Sequence, residues 1–138
     1  MANVYGPRQN SKGEGGVVAI FTDKMLNNGH PSINGDGKQT RDFIYVNDVI
    51  NANILALGKN KIGVFNIGTA EETNIKTVFR KIKKLTNSNY KETYISEKYD
   101  EQKRSCLDFS KAKIELEWKP KYDLDRGLKE TIEWFKER

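Results

Sequence analysis

An α/β fold is predicted for this chain of 138 residues on three observations. Short β-branched and aromatic runs alternate with longer stretches whose apolar residues recur at helical spacing, about five helical stretches can be traced, and Gly, Asn and Pro mark most of the breaks between them. The strands are all short.

Val4 and Tyr5 read as the end of a strand that Gly6-Pro7 stops. After a loop to Glu14, Gly15 to Leu26 has the length and apolar content of a first helix, ended by Asn28-Gly29. Ser32 to Asn34 and Thr40 to Val46 read as strands flanking a Gly35-Asp36-Gly37 turn, with Arg41, Phe43 and Tyr45 on one face. Asn47 is placed to cap a second helix in which Ile50, Ile54 and Leu57 repeat, ending at Gly58. Val64 to Ile67 is a further short strand. Thr73 caps a third helix with one stripe of Ile75, Val78, Phe79, Ile82 and Leu85. Tyr90 to Ile95 alternates as a strand, Ser110 to Leu116 forms a short helix, and Leu124, Leu128, Ile132 and Phe135 line the inner face of the last one.

The composition narrows the function classes. Apolar residues are 36% and charged residues 31% of the chain, enough periodic apolar content for a small core in one domain. No run approaches the ~20 apolar residues of a membrane span, and the amino terminus lacks a secretory layout, so a cytoplasmic protein without membrane contact is expected. A single cysteine, Cys106, and a single histidine, His30, assemble no zinc-type cluster and no internal disulfide. The net charge of +5 is spread along the chain and forms no dense stripe with interleaved aromatics, which argues against nucleic acid as a partner. Trp118 and Trp134 read as packing residues.

Four segments, in order, carry a resemblance: Asn3-Val-Tyr-Gly-Pro-Arg-Gln9, Gly35 to Val46 leading into Asp48-Val49, Val64-Phe-Asn-Ile-Gly-Thr69, and Ser105 through Trp118, continued around Gly127-Leu128 and Thr131. Across essentially its whole length the chain resembles the second half of the NAD-dependent nucleotide-sugar epimerases and dehydratases of the extended short-chain dehydrogenase/reductase kind. The Gly-Gly-Val at the first helix start is more similar to UDP-glucose 4-epimerases than to dTDP-glucose dehydratases. The resemblance implies a carboxyl-terminal nucleotide-sugar-binding domain over residues 1–138, a parent enzyme using NAD, and a UDP-sugar or related nucleotide sugar as ligand.

The same resemblance assigns candidate contacts. Asn3 stands where the family has an asparagine against the sugar diphosphate; read alone it is a turn-forming amide. Gly16 and Val17 open the first helix, a place the family uses beside the nucleotide, where bare N–H groups and a small residue suit a phosphate-bearing ligand; read from sequence alone, a loop joint and a core valine explain them better. Ser32 and Asn34 match the base pocket, with Asn34 replacing the aromatic or large residue common there. Arg41 matches the family's diphosphate arginine, its planar fork fitting two oxygens; the alternative is a surface pair with Asp36 or Asp42. Lys98 stands for a second arginine and Glu101 for an acid accepting from ribose hydroxyls, with Arg104 a nearby cation. Asp100 and Glu117 replace glycines of the family, and a left-handed Glu117 would cost about 1 kcal/mol relative to glycine.

Neither a Gly-x-Gly-x-x-Gly loop nor the family's acid/base Tyr-x-x-x-Lys pair is placed in this sequence, since Tyr94 with Lys98 and Tyr99 with Lys103 lie in the wrong region. The expectation is a part of a longer parent, inactive alone and binding no cofactor by itself, whose Rossmann half is absent. Its opening strand and Val64 to Ile67 would then leave edges or apolar surface that favour homo-oligomers. The alternatives are part of a 4,6-dehydratase or a stand-alone nucleotide-sugar-binding module.

Overall fold

The computed structural model describes residues 2–13, 15–97 and 101–138. The elements run β1 (Asn3–Tyr5), α1 (Val17–Leu26), β2 (Ile33–Asn34), β3 (Thr40–Arg41), β4 (Phe43–Tyr45), α2 (Val46–Gly58), β5 (Thr73–Asn74), α3 (Ile75–Leu85), β6 (Tyr94–Ile95), α4 (Ser110–Glu115) and α5 (Leu124–Lys136). This is the α/β arrangement with short strands and five helices that the sequence predicts.

The strands form three separate pairs. β1 lies parallel to β4 with Val4 opposite Ile44, β2 lies parallel to β6, and β3 lies antiparallel to β5 with Arg41 opposite Thr73. The Gly35-Asp36-Gly37 reversal has the left-handed backbone expected of it, with φ of 59° and 72° at the two glycines, yet it makes no hairpin. β2 instead takes its hydrogen bonds from the 93–95 region, Ile33 N–H donating to the Thr93 carbonyl at 2.8 Å and Gly35 N–H to that of Ile95 at 2.9 Å.

The single strand expected over 40–46 is broken at Asp42, a fully buried residue. Its carboxylate accepts from Thr69 N (2.8 Å), Thr69 Oγ1 (2.7 Å), Ala70 N (3.1 Å) and Leu107 N (3.2 Å), and its carbonyl accepts from Asn3 N at 2.7 Å. One acid thus ties the start of β1 to two distant loops.

The β1–β4 pair divides the core, because successive side chains point to opposite faces. Tyr5, Phe43 and Tyr45 join α1, α3 and α5 through Phe21, Val78, Phe79, Ile82, Leu128 and Ile132. Ile44 joins Ala52 of α2, Ala112 of α4, Leu116 and Trp118 on the other side. The predicted stripes of α3 and α5 are buried at Ile75, Val78, Phe79, Ile82, Leu128 and Ile132, whereas Leu85, Leu124 and Phe135 are half-buried, and Trp118 is fully buried with its Nε1 donating to the Asp48 carbonyl at 2.9 Å.

Four local expectations are corrected. α3 is capped by Asn74, whose side chain accepts from Thr77 N at 2.7 Å, and Thr73 belongs to β5 instead. α2 starts after Tyr45 with no side-chain cap, so Asn47 lies inside the helix. Val64 to Ile67 has no partner strand among the described residues, although its alternation survives as exposed Val64 and half-buried Phe65 and Ile67. Within Tyr90 to Ile95, only the last two residues pair. No helix among the described residues is long and apolar enough to cross a membrane.

Candidate functional site

A cleft of about 450 Å³ opens where the start of α1, the β2–β6 pair, β3 and the segment after residue 100 converge. Asn3, Gly16, Val17, Ser32, Asn34, Arg41 and Glu101 all line it, so residues spread over 98 positions of the sequence meet at one place. Lys98, the remaining candidate, lies outside the described residues.

Arg41 is delivered by β3 and its side chain is only 13% exposed. Its Nη1 donates to the Thr40 carbonyl at 2.7 Å and its Nη2 lies 3.6 Å from Glu101 Oε1. The surface pairs with Asp36 or Asp42 are not formed, because Asp36 faces Lys38 and Asp42 is consumed by the loops it holds. A guanidinium has five donors, and these two contacts leave others for an anion in the cleft.

Glu101 comes alongside β3 because its segment continues into a strand-like register, Thr40 N–H donating to the Lys103 carbonyl (2.9 Å) and Ser105 N–H to that of Thr40 (3.2 Å). Glu101 Oε1 accepts from Gln39 Nε2 at 3.2 Å, whereas Oε2 is buried without a partner among the described residues. A buried unpartnered carboxylate oxygen is costly and is an acceptor ready for a ligand hydroxyl.

Gly16 is the N-cap of α1 and supplies no side-chain cap, so the first-turn N–H groups lack helical acceptors and carry the positive end of the helix dipole. Gln9 also packs against this glycine. A Cβ would meet Gln9 Nε2 at 2.4 Å, and that nitrogen donates to the Val4 carbonyl at 2.9 Å. Asn34 offers an amide to the cleft, and Ile20 and Ile95 contribute apolar surface to it.

Arg104 takes no part. It makes a two-point contact with Glu72, Nε to Oε1 at 3.0 Å and Nη2 to Oε2 at 3.1 Å, and lines a separate hollow with Lys103 and Asp36. The sequence reading also missed Gln39, Ile75 and Lys24, which line the cleft. Gln39 had a usable signal, since a residue two positions before Arg41 in an extended segment shares its face.

The β1-to-α1 connection runs from Gly6 to Gly16 instead of turning tightly, and Gln9 fills the space above Gly16.

Residues 1–131 match the family model described as GDP-mannose 4,6 dehydratase. The chain belongs to this family. A Methanocaldococcus jannaschii protein provisionally named UDP-glucose 4-epimerase is 48% identical over 136 residues, 98% of this chain and 44% of that protein. The UDP-glucose 4-epimerase of Thermotoga maritima, solved with UDP-glucose, is 46% identical with a TM-score of 0.95 over 99% of this chain and 44% of that one. The dTDP-glucose 4,6-dehydratase of Bacillus anthracis, solved with NAD, is 28% identical with a TM-score of 0.88, covering 99% and 43%. The chain therefore spans about 44% of the length of the relatives it matches, and its fold is a part of the extended short-chain dehydrogenase/reductase enzymes that act on nucleotide sugars.

Proposed function

We propose that this chain is the nucleotide-sugar-binding portion, in carboxyl-terminal position, of a UDP-sugar 4-epimerase that uses NAD. The observation that carries this reading is the convergence of Asn3, Gly16, Val17, Ser32, Asn34, Arg41 and Glu101 on one cleft. In this reading Arg41 and the start of α1 receive the diphosphate, Asn3 adds an amide contact, Glu101 Oε2 accepts from a ribose hydroxyl, and Ser32 and Asn34 face the base. The half of the relatives that this chain does not span supplies NAD and the acid/base tyrosine, so the chain alone binds and does not turn over.

The outer face of α2 supports the need for a second half. Ile54 is 61% and Leu57 82% exposed, and Val64 in the segment after α2 is 84% exposed, apolar surface that a solvated chain would not favour. We place the NAD-binding half against it, in the cytoplasm where these enzymes meet their substrates.

The test is a calorimetric titration of the chain with UDP at fixed salt, wild type against Arg41→Ala. Saturable binding that the variant loses supports the reading. Equal binding by both, or NAD-dependent epimerisation by the chain alone, overturns it.

A further inference from the structure

We propose that Gln39 is a positioning residue of this cleft, a single carboxamide that fixes both the strand facing the base and the acid facing the ribose. The proposal rests on the nucleotide-sugar reading and deepens it. Gln39 Nε2 donates to the Asn34 carbonyl at 3.0 Å and to Glu101 Oε1 at 3.2 Å, so the two protons of one NH2 group bridge residues 67 positions apart in sequence.

The orientation of the amide is dictated by chemistry. Both neighbours are pure acceptors, a carbonyl and a carboxylate, so the flipped amide would set oxygen against oxygen twice. The main chain of Gln39 is held as well, its carbonyl accepting from Ile75 N at 3.1 Å at the start of α3. The donor therefore has little freedom to leave its two acceptors.

The consequence falls on Glu101. Among the described residues, Oε1 without Gln39 keeps only Arg41 at 3.6 Å, a distance at which the carboxylate is attracted but not oriented. With it, Oε1 is occupied and Oε2, buried and unpartnered among the described residues, is the oxygen left for a ligand. Gln39 touches Glu101 and Asn34 and acts through them.

The test has two arms on the same chain. In the first, NMR of the ligand-free protein follows the Gln39 side-chain amide protons in wild type and Glu101→Ala. Slow exchange and shifts displaced from those of free glutamine are expected in wild type, with the proton facing Glu101 moving back towards the free value in the variant; protons that exchange freely in wild type overturn the proposal. In the second, a double-mutant cycle on Gln39→Leu and Glu101→Ala reads UDP affinity, with Gln39→Met as a second substitution should Gln39→Leu fold poorly. Gln39→Leu is expected to weaken UDP about tenfold in wild type and hardly at all with Glu101→Ala present, as for a hydrogen bond to a charged group. UDP binding with additive losses overturns the role of Gln39 and leaves the nucleotide-sugar reading standing, whereas no UDP binding by folded wild type overturns both.

Discussion

Arg41 Nη2 lies 3.6 Å from Glu101 Oε1 in a cleft where both side chains are nearly buried, so the cation that would meet a diphosphate is partly neutralised by the acid that would meet a ribose. The pair is too long for a strong directed contact and too buried to be a casual surface pair.

Removing the acid should therefore have opposite effects on two ligands. Glu101→Gln is expected to strengthen binding of inorganic diphosphate by about fivefold, the equivalent of about 1 kcal/mol, since it frees Arg41 of its negative partner, and to weaken UDP. Arg41→Lys keeps the charge but loses the planar fork, and should weaken both ligands, by about tenfold for UDP. Calorimetry of four combinations, two variants against two ligands, checks this. Parallel losses of both ligands in Glu101→Gln would sink the idea that the two residues divide the work.

A second prediction concerns the acid that holds the cleft's frame. Asp42 is fully buried and accepts from three backbone N–H groups and the Thr69 hydroxyl. Asp42→Asn would turn an NH2 group towards donors and leave some of them unpaired, at a cost of about 2–4 kcal/mol. Urea denaturation should show a lowered midpoint with little change in slope. A loss under 0.5 kcal/mol, the usual surface value, would mean that the loops at 69 and 107 do not depend on this carboxylate.

How much of this was legible in the sequence depends on the range over which each element is decided. α3 and α5 could be read because their stripes, Ile75-Val78-Phe79-Ile82 and Leu128-Ile132, are local patterns that pack on one core. The strand pairings could not, because two-residue strands carry no register of their own. β2 finds β6 some sixty residues away, and a correctly read glycine reversal at 35–37 misled the pairing. The site residues were reached through the resemblance, as spacing alone does not bring Asn3 to Glu101. Gln39 was passed over because its role lies in contacts to other protein groups.

Glu117 offers a test of the sequence's departure from glycine. Its φ is 55°, and it closes α4 with Trp118 N–H reaching back to the Ala112 carbonyl at 3.3 Å, the geometry of a helix-ending left-handed residue. Lys59 pairs with its exposed carboxylate. In a Lys59→Ala background, Glu117→Gly is expected to stabilise by about 1 kcal/mol, because the Cβ no longer crowds the left-handed backbone. A lower melting temperature for the glycine variant would show that the unfolded chain's extra freedom outweighs that relief.

Alkaline stability should be set in part by Tyr5. Burial first, then coupling to the neighbouring Tyr45 phenol and the negative charge of Asp123, push its phenol well above the ordinary value of 10.0. Between pH 10 and the folded value the unfolded chain has released this proton and the native one has kept it, so stability falls as pH rises, by about 1.4 kcal/mol per pH unit for one such group. Below pH 10 the group adds no slope. Tyr5→Phe removes that share, and the variant's stability should decline less steeply than wild type above pH 10, as read from urea midpoints; identical slopes would place Tyr5 in water.

The outer face of α2 makes the last prediction. Ile54, Leu57 and Val64 expose apolar surface that packs on nothing among the described residues, whereas the inner face is committed through Ala52 to the Trp118 cluster. On the proposed reading, the part of its relatives that this chain does not span would cover that surface; without it, a second copy of the chain should. Light scattering should show a mass that rises with concentration, and Ile54→Glu with Leu57→Lys should lower it towards the monomer. Because both side chains are exposed, the substitutions should change stability by no more than about 0.5 kcal/mol each. A monomer at every concentration in wild type would mean that this face tolerates water, and a large loss of stability in the variant would mean that it packs within the chain.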